Sequence, residues 1–274
     1  MRPANETEQA DATHFMCAAT PNTREVLIQL PGRDPYHFAF DDVLQEETGQ
    51  AEVFETVGAP VVDNCLSGYN SSVFAYGQTG AGKTHTMTGR VAGGGDAAAQ
   101  EQVGDAPGSG VGRLAGRGVA FMMVNRLSGC SQLRGLAPRV FEYLFERIES
   151  MQEQQGRDRL KFCCRCSMLE IYNEVITDLL NPTATNLQVR EDVKRGCYVE
   201  GLSEEIVQNV EDAMRLLRRG AEHRHVGETR LNRESSRSHS VFTCVVERVV
   251  VDRPGDGGGD GGGDGMEEPT CMAF

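Results

Sequence analysis

Gly77-Gln78-Thr79-Gly80-Ala81-Gly82-Lys83-Thr84 is the stretch on which the reading of the whole chain turns. It is a full G-x-x-x-x-G-K-T pattern, and it follows Ser72-Val-Phe-Ala-Tyr76, a β-branched and aromatic run read as a strand. The glycines let backbone N–H groups curl around a phosphate with no Cβ in the way. A helix beginning at the end of the loop would present its positive N-terminus to the same anion. Lys83 is placed to neutralise β/γ-phosphate charge, and the Thr84 hydroxyl to ligate Mg²⁺. His85 and His239 read as structural neighbours of phosphate-binding backbone rather than acid–base groups, and His85 is counted with the nucleotide-binding positions. No Asn-Lys-x-Asp tetrapeptide occurs, so nothing supports guanine recognition.

Outward from the loop, short apolar runs alternate with helical patterns. Residues 26–30 and 36–40 read as strands around the turn-rich Pro31-Gly32-Arg33-Asp34-Pro35. Val53, Val57, Val61, Val62 and Leu66 recur at helical spacing, with Gly68 as a stop. Downstream, Pro138 opens a long helix through Val140, Phe141, Leu144, Phe145 and Ile148. Residues 160–171 predict a strand, 210–220 a helix and 241–251 a further strand. Strands alternating with helices argue for an α/β domain built on a central sheet. Residues 91–112 and 254–265 are rich in Gly, Ala and Asp, and such compositions bury too little apolar surface to offset chain entropy. Both are expected to be mobile and exposed.

The charge of -13 is concentrated at the two ends of the sequence. Residues 1–60 hold eleven acids against three bases, and residues 252–274 hold six against one. Nucleic acid, which is recognised through dense phosphate charge, is therefore not an expected partner. No apolar run reaches the roughly 18 residues of a membrane span, and the first residues lack the basic-then-apolar pattern of a secretory signal. The expectation is a soluble intracellular protein with no membrane partner. Nine cysteines without repeated C-x-x-C pairs read as reduced thiols. In Cys163-Cys164-Arg165-Cys166, strand alternation sends Cys163 to the face opposite Cys164 and Cys166, which argues against a shared metal.

The flanks of the loop carry a resemblance. Phe38-Ala-Phe-Asp-Asp-Val43 and the run from Gly68-Tyr-Asn-Ser-Ser-Val through Lys83-Thr-His-Thr-Met87 are similar to the kinesin motor domain almost residue for residue. Glu170-Ile-Tyr-Asn-Glu174 with Asp178-Leu-Leu180, and Asn232-Arg-Glu-Ser-Ser-Arg-Ser-His-Ser240, resemble two further kinesin signatures in the same order. The wording around Arg134-Gly-Leu-Ala-Pro-Arg-Val-Phe-Glu-Tyr-Leu-Phe145 and Asn186-Leu-Gln-Val-Arg-Glu-Asp-Val193 is most similar to the phragmoplast-type, class-twelve kinesins. The resemblance implies a P-loop NTPase fold with a mixed central sheet flanked by helices. It also implies ATP and Mg²⁺ as cofactors, ATP hydrolysis coupled to movement, and microtubules (tubulin) as partner in the cytoplasm. Pairing into a dimer through a coiled coil outside these residues is implied as well.

Site roles come with it. The whole loop (Gly77, Gln78, Thr79, Gly80, Ala81, Gly82, Lys83, Thr84) and His85 would hold nucleotide, and Arg2-Pro3 would flank the adenine. Asn232, Ser235, Ser236 and Arg237 match a switch that senses the γ-phosphate, with Ser236 joining Thr84 in the Mg²⁺ shell, and Arg224 matches an arginine near that phosphate. A hydroxyl-rich loop with an arginine suits phosphoryl transfer, which rests on positioning and charge neutralisation.

The family's second switch, Asp-Leu-Ala-Gly-Ser-Glu, does not occur in these residues. On this reading 1–250 is a partial motor domain interrupted by a low-complexity insertion at 91–132, and 251–274 is a disordered tail. Turnover and motility by these residues alone would then be impaired. The alternative is a non-motor module that binds nucleotide or a partner without turnover. Asp252, in Val-Val-Val-Asp-Arg-Pro-Gly255, imitates a second switch, but the strand before it carries it about 35 Å from the first switch at roughly 3.3 Å per residue. No second strand to bring the chain back is read in the sequence.

Overall fold

The computed structural model describes residues 16–20, 24–30, 32–89, 134–193, 196–224, 228–229, 232–233, 238–251 and 270–274. The chain opens with an antiparallel three-stranded sheet, β1 (Met16–Thr20), β2 (Glu25–Gln29) and β3 (Tyr36–Ala39). It continues through α1 (Gln50–Val53), a π-helical turn (Phe54–Gly58) and α2 (Ala59–Leu66). Pro60 accounts for the π-turn. Inside a continuous α-helix its ring would meet the carbonyl four residues back and leave that oxygen without a donor, and one wider turn accommodates both defects.

The main sheet has six strands. Its order is β4 (Ser71–Ser72), β13 (Thr270–Ala273), β12 (Ser238–Val250), β5 (Leu160–Tyr172) and β6 (Val175–Asp178), with β9 (Glu205–Val207) also paired to β5. Only β4 and β13 run parallel, so the sheet is mixed. A separate hairpin, β7 (Val189–Asp192) and β8 (Gly196–Val199), stands beside it. β5 and β6 are joined by a two-residue loop, with Tyr172 paired to Val175. Asn173 and Glu174 both have positive φ, +48° and +61°, the backbone whose twist matches that of a tight hairpin.

Three helices cover one face: α2, α4 (Leu136–Gln155) and α5 (Val210–His223). The strand period of two selects the buried set, Cys164, Cys166 and Met168 on β5 with Phe242, Cys244 and Val246 on β12. Leu136, Val140, Phe141, Leu144 and Ile148 supply the helical stripe that meets them. Phe141 lies edge-on to Phe242, with ring centroids 5.6 Å apart. α5 begins at Asn209, whose side chain accepts from the Asp212 N–H at 2.9 Å and so satisfies one of the helix's orphan donors.

The strands and helices read from the sequence are present, with two differences. First, the stretch 251–274 is not a disordered tail throughout. Residues 252–269 lie outside the described residues, but Thr270–Ala273 form β13, wedged between β4 and β12. Thr270 and Met272, buried in alternation, give this short piece a core-facing side that low-complexity sequence lacks. The second strand missing from the sequence reading is therefore supplied by residues 270–273. Second, the expected strand at 72–76 is only two residues long. β13 ends at Ala273, whose carbonyl receives the Val73 N–H, and the chain from Phe74 to Tyr76 has no strand beside it among the described residues. The insertion at 91–132 lies outside the described residues. Gly89 and Arg134, on either side of it, form an isolated antiparallel bridge.

Candidate nucleotide site

The sheet register decides which motifs meet. Ala273 is opposite Ser72 on one side and Thr243 on the other, so Val73 and Phe242 stand at one level of the sheet. Gly77 lies four residues beyond Val73, and Ser238 four residues before Phe242. β12 and β5 are antiparallel, with Ser238 opposite Tyr172, which brings the β5–β6 turn to this edge too. Three motifs more than 60 positions apart in sequence are thus delivered to one edge, at the carboxyl end of β4. The strands β4 and β12, with β13 between them, are about 10 Å apart.

The loop at 77–84 has the backbone its glycines allow. Gly77, Gly80 and Gly82 have φ of +153°, +82° and +91°. Gly82 is the left-handed residue that starts α3 (Lys83–Met87). A Cβ on Gly77 would sit 2.8 Å from the Ala81 methyl, and one on Gly80 would project into open space where a ligand is to approach. Lys83 Nζ donates to the Gly77 carbonyl at 2.6 Å and to that of Gln78 at 2.9 Å, which stretches the ammonium across its own loop. The Thr84 and His85 side chains are exposed on the first turn of α3. Thr86 donates to the Gly82 carbonyl, and the N–H groups of Lys83, Thr84 and His85, which precede it, have no helical acceptor among the described residues.

These residues fit a nucleoside triphosphate: a concave backbone with donors unpaired among the described residues, a cation over it and a hydroxyl beside it. Among the described residues no group of three or more His, Cys, Asp or Glu could hold a metal. A Mg²⁺ at this edge would therefore take its oxygens from phosphate, hydroxyl and water.

Arg224 caps the C-terminal end of α5. Its guanidinium donates to the Ser238 carbonyl at 3.0 Å and to the Ser238 hydroxyl at 3.1 Å, and lies 3.6 Å from the buried Glu170 carboxylate. Its described partners are thus the start of β12 and the end of β5, not the phosphate loop. This clamp ties Glu170 of one motif to Ser238 of another. Asn232 lies in β11 (Asn232–Arg233), paired with β10 (Glu228–Thr229). Arg2, Pro3, Ser235, Ser236 and Arg237 lie outside the described residues.

Two residues with no role in the sequence reading emerge here. Gln50 reaches His85 from α1, with its Nε2 at 2.8 Å from the His85 carbonyl and 3.0 Å from Nδ1. Asp178, fully buried, accepts from the N–H groups of Leu180, Asn181 and Ser203. Asp178 stood inside a quoted motif, whereas Gln50, 35 positions before its partner, gave no local signal.

A family model of the kinesin motor domain matches residues 1–257. Kinesin-like protein KIN-12D of Arabidopsis thaliana is 44% identical over 247 residues, 90% of this chain and 8% of its own length. Kinesin-like protein KIN-12B of the same plant is 50% identical over 210 residues, 77% of this chain and 14% of its own length. KIN-12E of Oryza sativa subsp. japonica is 43% identical over 247 residues, 90% of this chain and 11% of its own. The chain thus spans a small part of the curated relatives it matches. A solved structure of a fast kinesin, described with its ATPase mechanism and interactions with microtubules, superposes with a TM-score of 0.72 at 29% identity. That match covers 99% of this chain and 62% of the fast kinesin.

Proposed function

The chain belongs to the kinesin motor-domain family, and from that premise we propose that residues 77–84 bind the triphosphate of ATP in a microtubule-based motor protein. The observation that carries the nucleotide assignment is the loop itself, set after β4 with Gly82 left-handed and Lys83 drawn across it. Backbone donors at the start of α3 would orient the phosphates, and Lys83 would exchange its two carbonyl partners for phosphate oxygens. Mg²⁺, held by Thr84 with Ser236, would neutralise developing phosphate charge. Microtubule partnership and a cytoskeletal location follow from the family and from the class-twelve relatives; the Ser238 end of β12 beside the loop is the element through which nucleotide state would reach the sheet.

Titration of Mg·ATP into the chain tests the assignment. Lys83→Ala should weaken binding about tenfold or more, the loss of one charge-assisted contact to phosphate. Equal affinities for the two proteins would overturn it.

A further inference from the structure

Resting on the reading of 77–84 as the phosphate loop, we propose that Gln50 is a positioning residue. It locks His85 into one tautomer and one ring orientation, so that an Nε2–H imidazole meets the nucleoside end of the bound nucleotide. The geometry is specific. Gln50 is 9% exposed, and its Nε2 faces the His85 carbonyl and the His85 ring nitrogen Nδ1 together. A backbone carbonyl only accepts, so the amide group turned toward it is the NH₂; the reverse orientation would set two acceptors against each other. That NH₂ has a second hydrogen, and Nδ1 lies in its reach. Nδ1 is then an acceptor, and the ring proton sits on Nε2.

The other end of the amide sharpens this. Gln50 Oε1 is buried and has no hydrogen-bond partner among the described residues, so the two donated bonds alone fix the amide. A buried carbonyl left without a donor is a cost that the fold retains at this position.

His85 is one residue past Thr84 and is exposed at the rim of the loop. Phosphates would engage the loop's backbone, and what extends beyond them, sugar and base, meets rim side chains. Tyr76, on the near side of the loop, is fully exposed and unsupported. The His85 ring is held at its nitrogen and at its own backbone. A ring already ordered can stack or donate without losing rotamer freedom on binding. The effect of Gln50 should therefore fall on ligands that carry a nucleoside, and not on bare polyphosphate.

The experiment compares ATP with inorganic tripolyphosphate on the full chain, by calorimetry, for wild type, Gln50→Leu, His85→Ala, their combination and Lys83→Ala. Leucine keeps the volume of Gln50 and removes the unsatisfied carbonyl, which favours a folded variant. Gln50→Leu should weaken ATP about three- to tenfold and leave tripolyphosphate unchanged. The combination should be no weaker than His85→Ala alone. Long-range ¹H–¹⁵N spectra should show His85 as the Nε2–H tautomer in wild type and as a mixture in Gln50→Leu. Equal losses for both ligands, or no loss for either, would overturn the proposal. Should Gln50→Leu not fold, the His85 tautomer of the wild type keeps the test: an Nε2–H ring supports the proposal, and an Nδ1–H ring or a mixture sinks it. Lys83→Ala should weaken both ligands; if it weakens neither, the phosphate-loop reading itself fails.

Discussion

Asp178 has no exposed surface, and three backbone N–H groups converge on its carboxylate at 2.7, 3.1 and 2.8 Å. Two come from the turn that follows β6 and one from Ser203, ahead of β9. The residue thus pins two loops to the end of the sheet. Asp178→Asn keeps the shape but turns an amide NH₂ toward at least one donor, and should destabilise the chain by about 3 kcal/mol in urea denaturation. A loss below about 1 kcal/mol would show that the loops hold themselves. The motif Asp178-Leu-Leu180 was visible in the sequence, but its work was not, because Ser203 is 25 positions away. Loop glycines, by contrast, signal a backbone that needs no Cβ, and the structure gives Gly80 and Gly82 positive φ. Arg224, matched by its motif, makes its described contacts to Glu170 and Ser238, a pairing that no local spacing signals.

At the scale of elements, alternation along β5 was the most legible signal. It predicts Cys163 on one face with Cys164 and Cys166 on the other, and the sheet buries the latter two while leaving Cys163 half-exposed. Opposite Cys166 on β12 lies Cys244, and Cys65 of α2 is buried in the same core. Two of these thiols are held above their usual ionisation range, Cys164 by its hydrogen bond with Cys244 and by burial, Cys65 chiefly by burial. Unfolded thiols ionise near about pH 8.5, whereas the native ones stay protonated. The unfolded state then binds fewer protons in alkali, so the stabilisation is complete below that pH and is lost progressively as pH rises from there towards the raised native values. The urea midpoint should fall between about pH 8 and about pH 10, and Cys65→Ala/Cys164→Ala should flatten that fall relative to its own neutral value. An unchanged slope would place the alkaline sensitivity elsewhere. The length of β4 was not legible, because a strand ends where its neighbour ends, and the neighbour is almost 200 residues distant.

For the molecule as a whole, the decisive feature is β13. Composition reads 254–265 correctly as low in complexity and then misleads about the few residues after it, since four residues are too short a window for alternation to register. Those four residues join β4 to β12, and the loop at 77–84 hangs from β4. Asn70 and Cys271, hydrogen-bonded across this junction, are separated by 201 positions. The β5–β6 hairpin closes over two. Chain closure over a roughly hundredfold longer loop costs about 4 kcal/mol more, and contacts of this span form slowly. The phosphate loop is therefore among the last parts of the molecule to be anchored during folding. In a refolding experiment, hairpin and helix signals should return first, and the capacity to bind Mg·ATP should return only with the slowest phase. Binding that recovered with the earliest phase would mean that the loop assembles on α3 without the sheet.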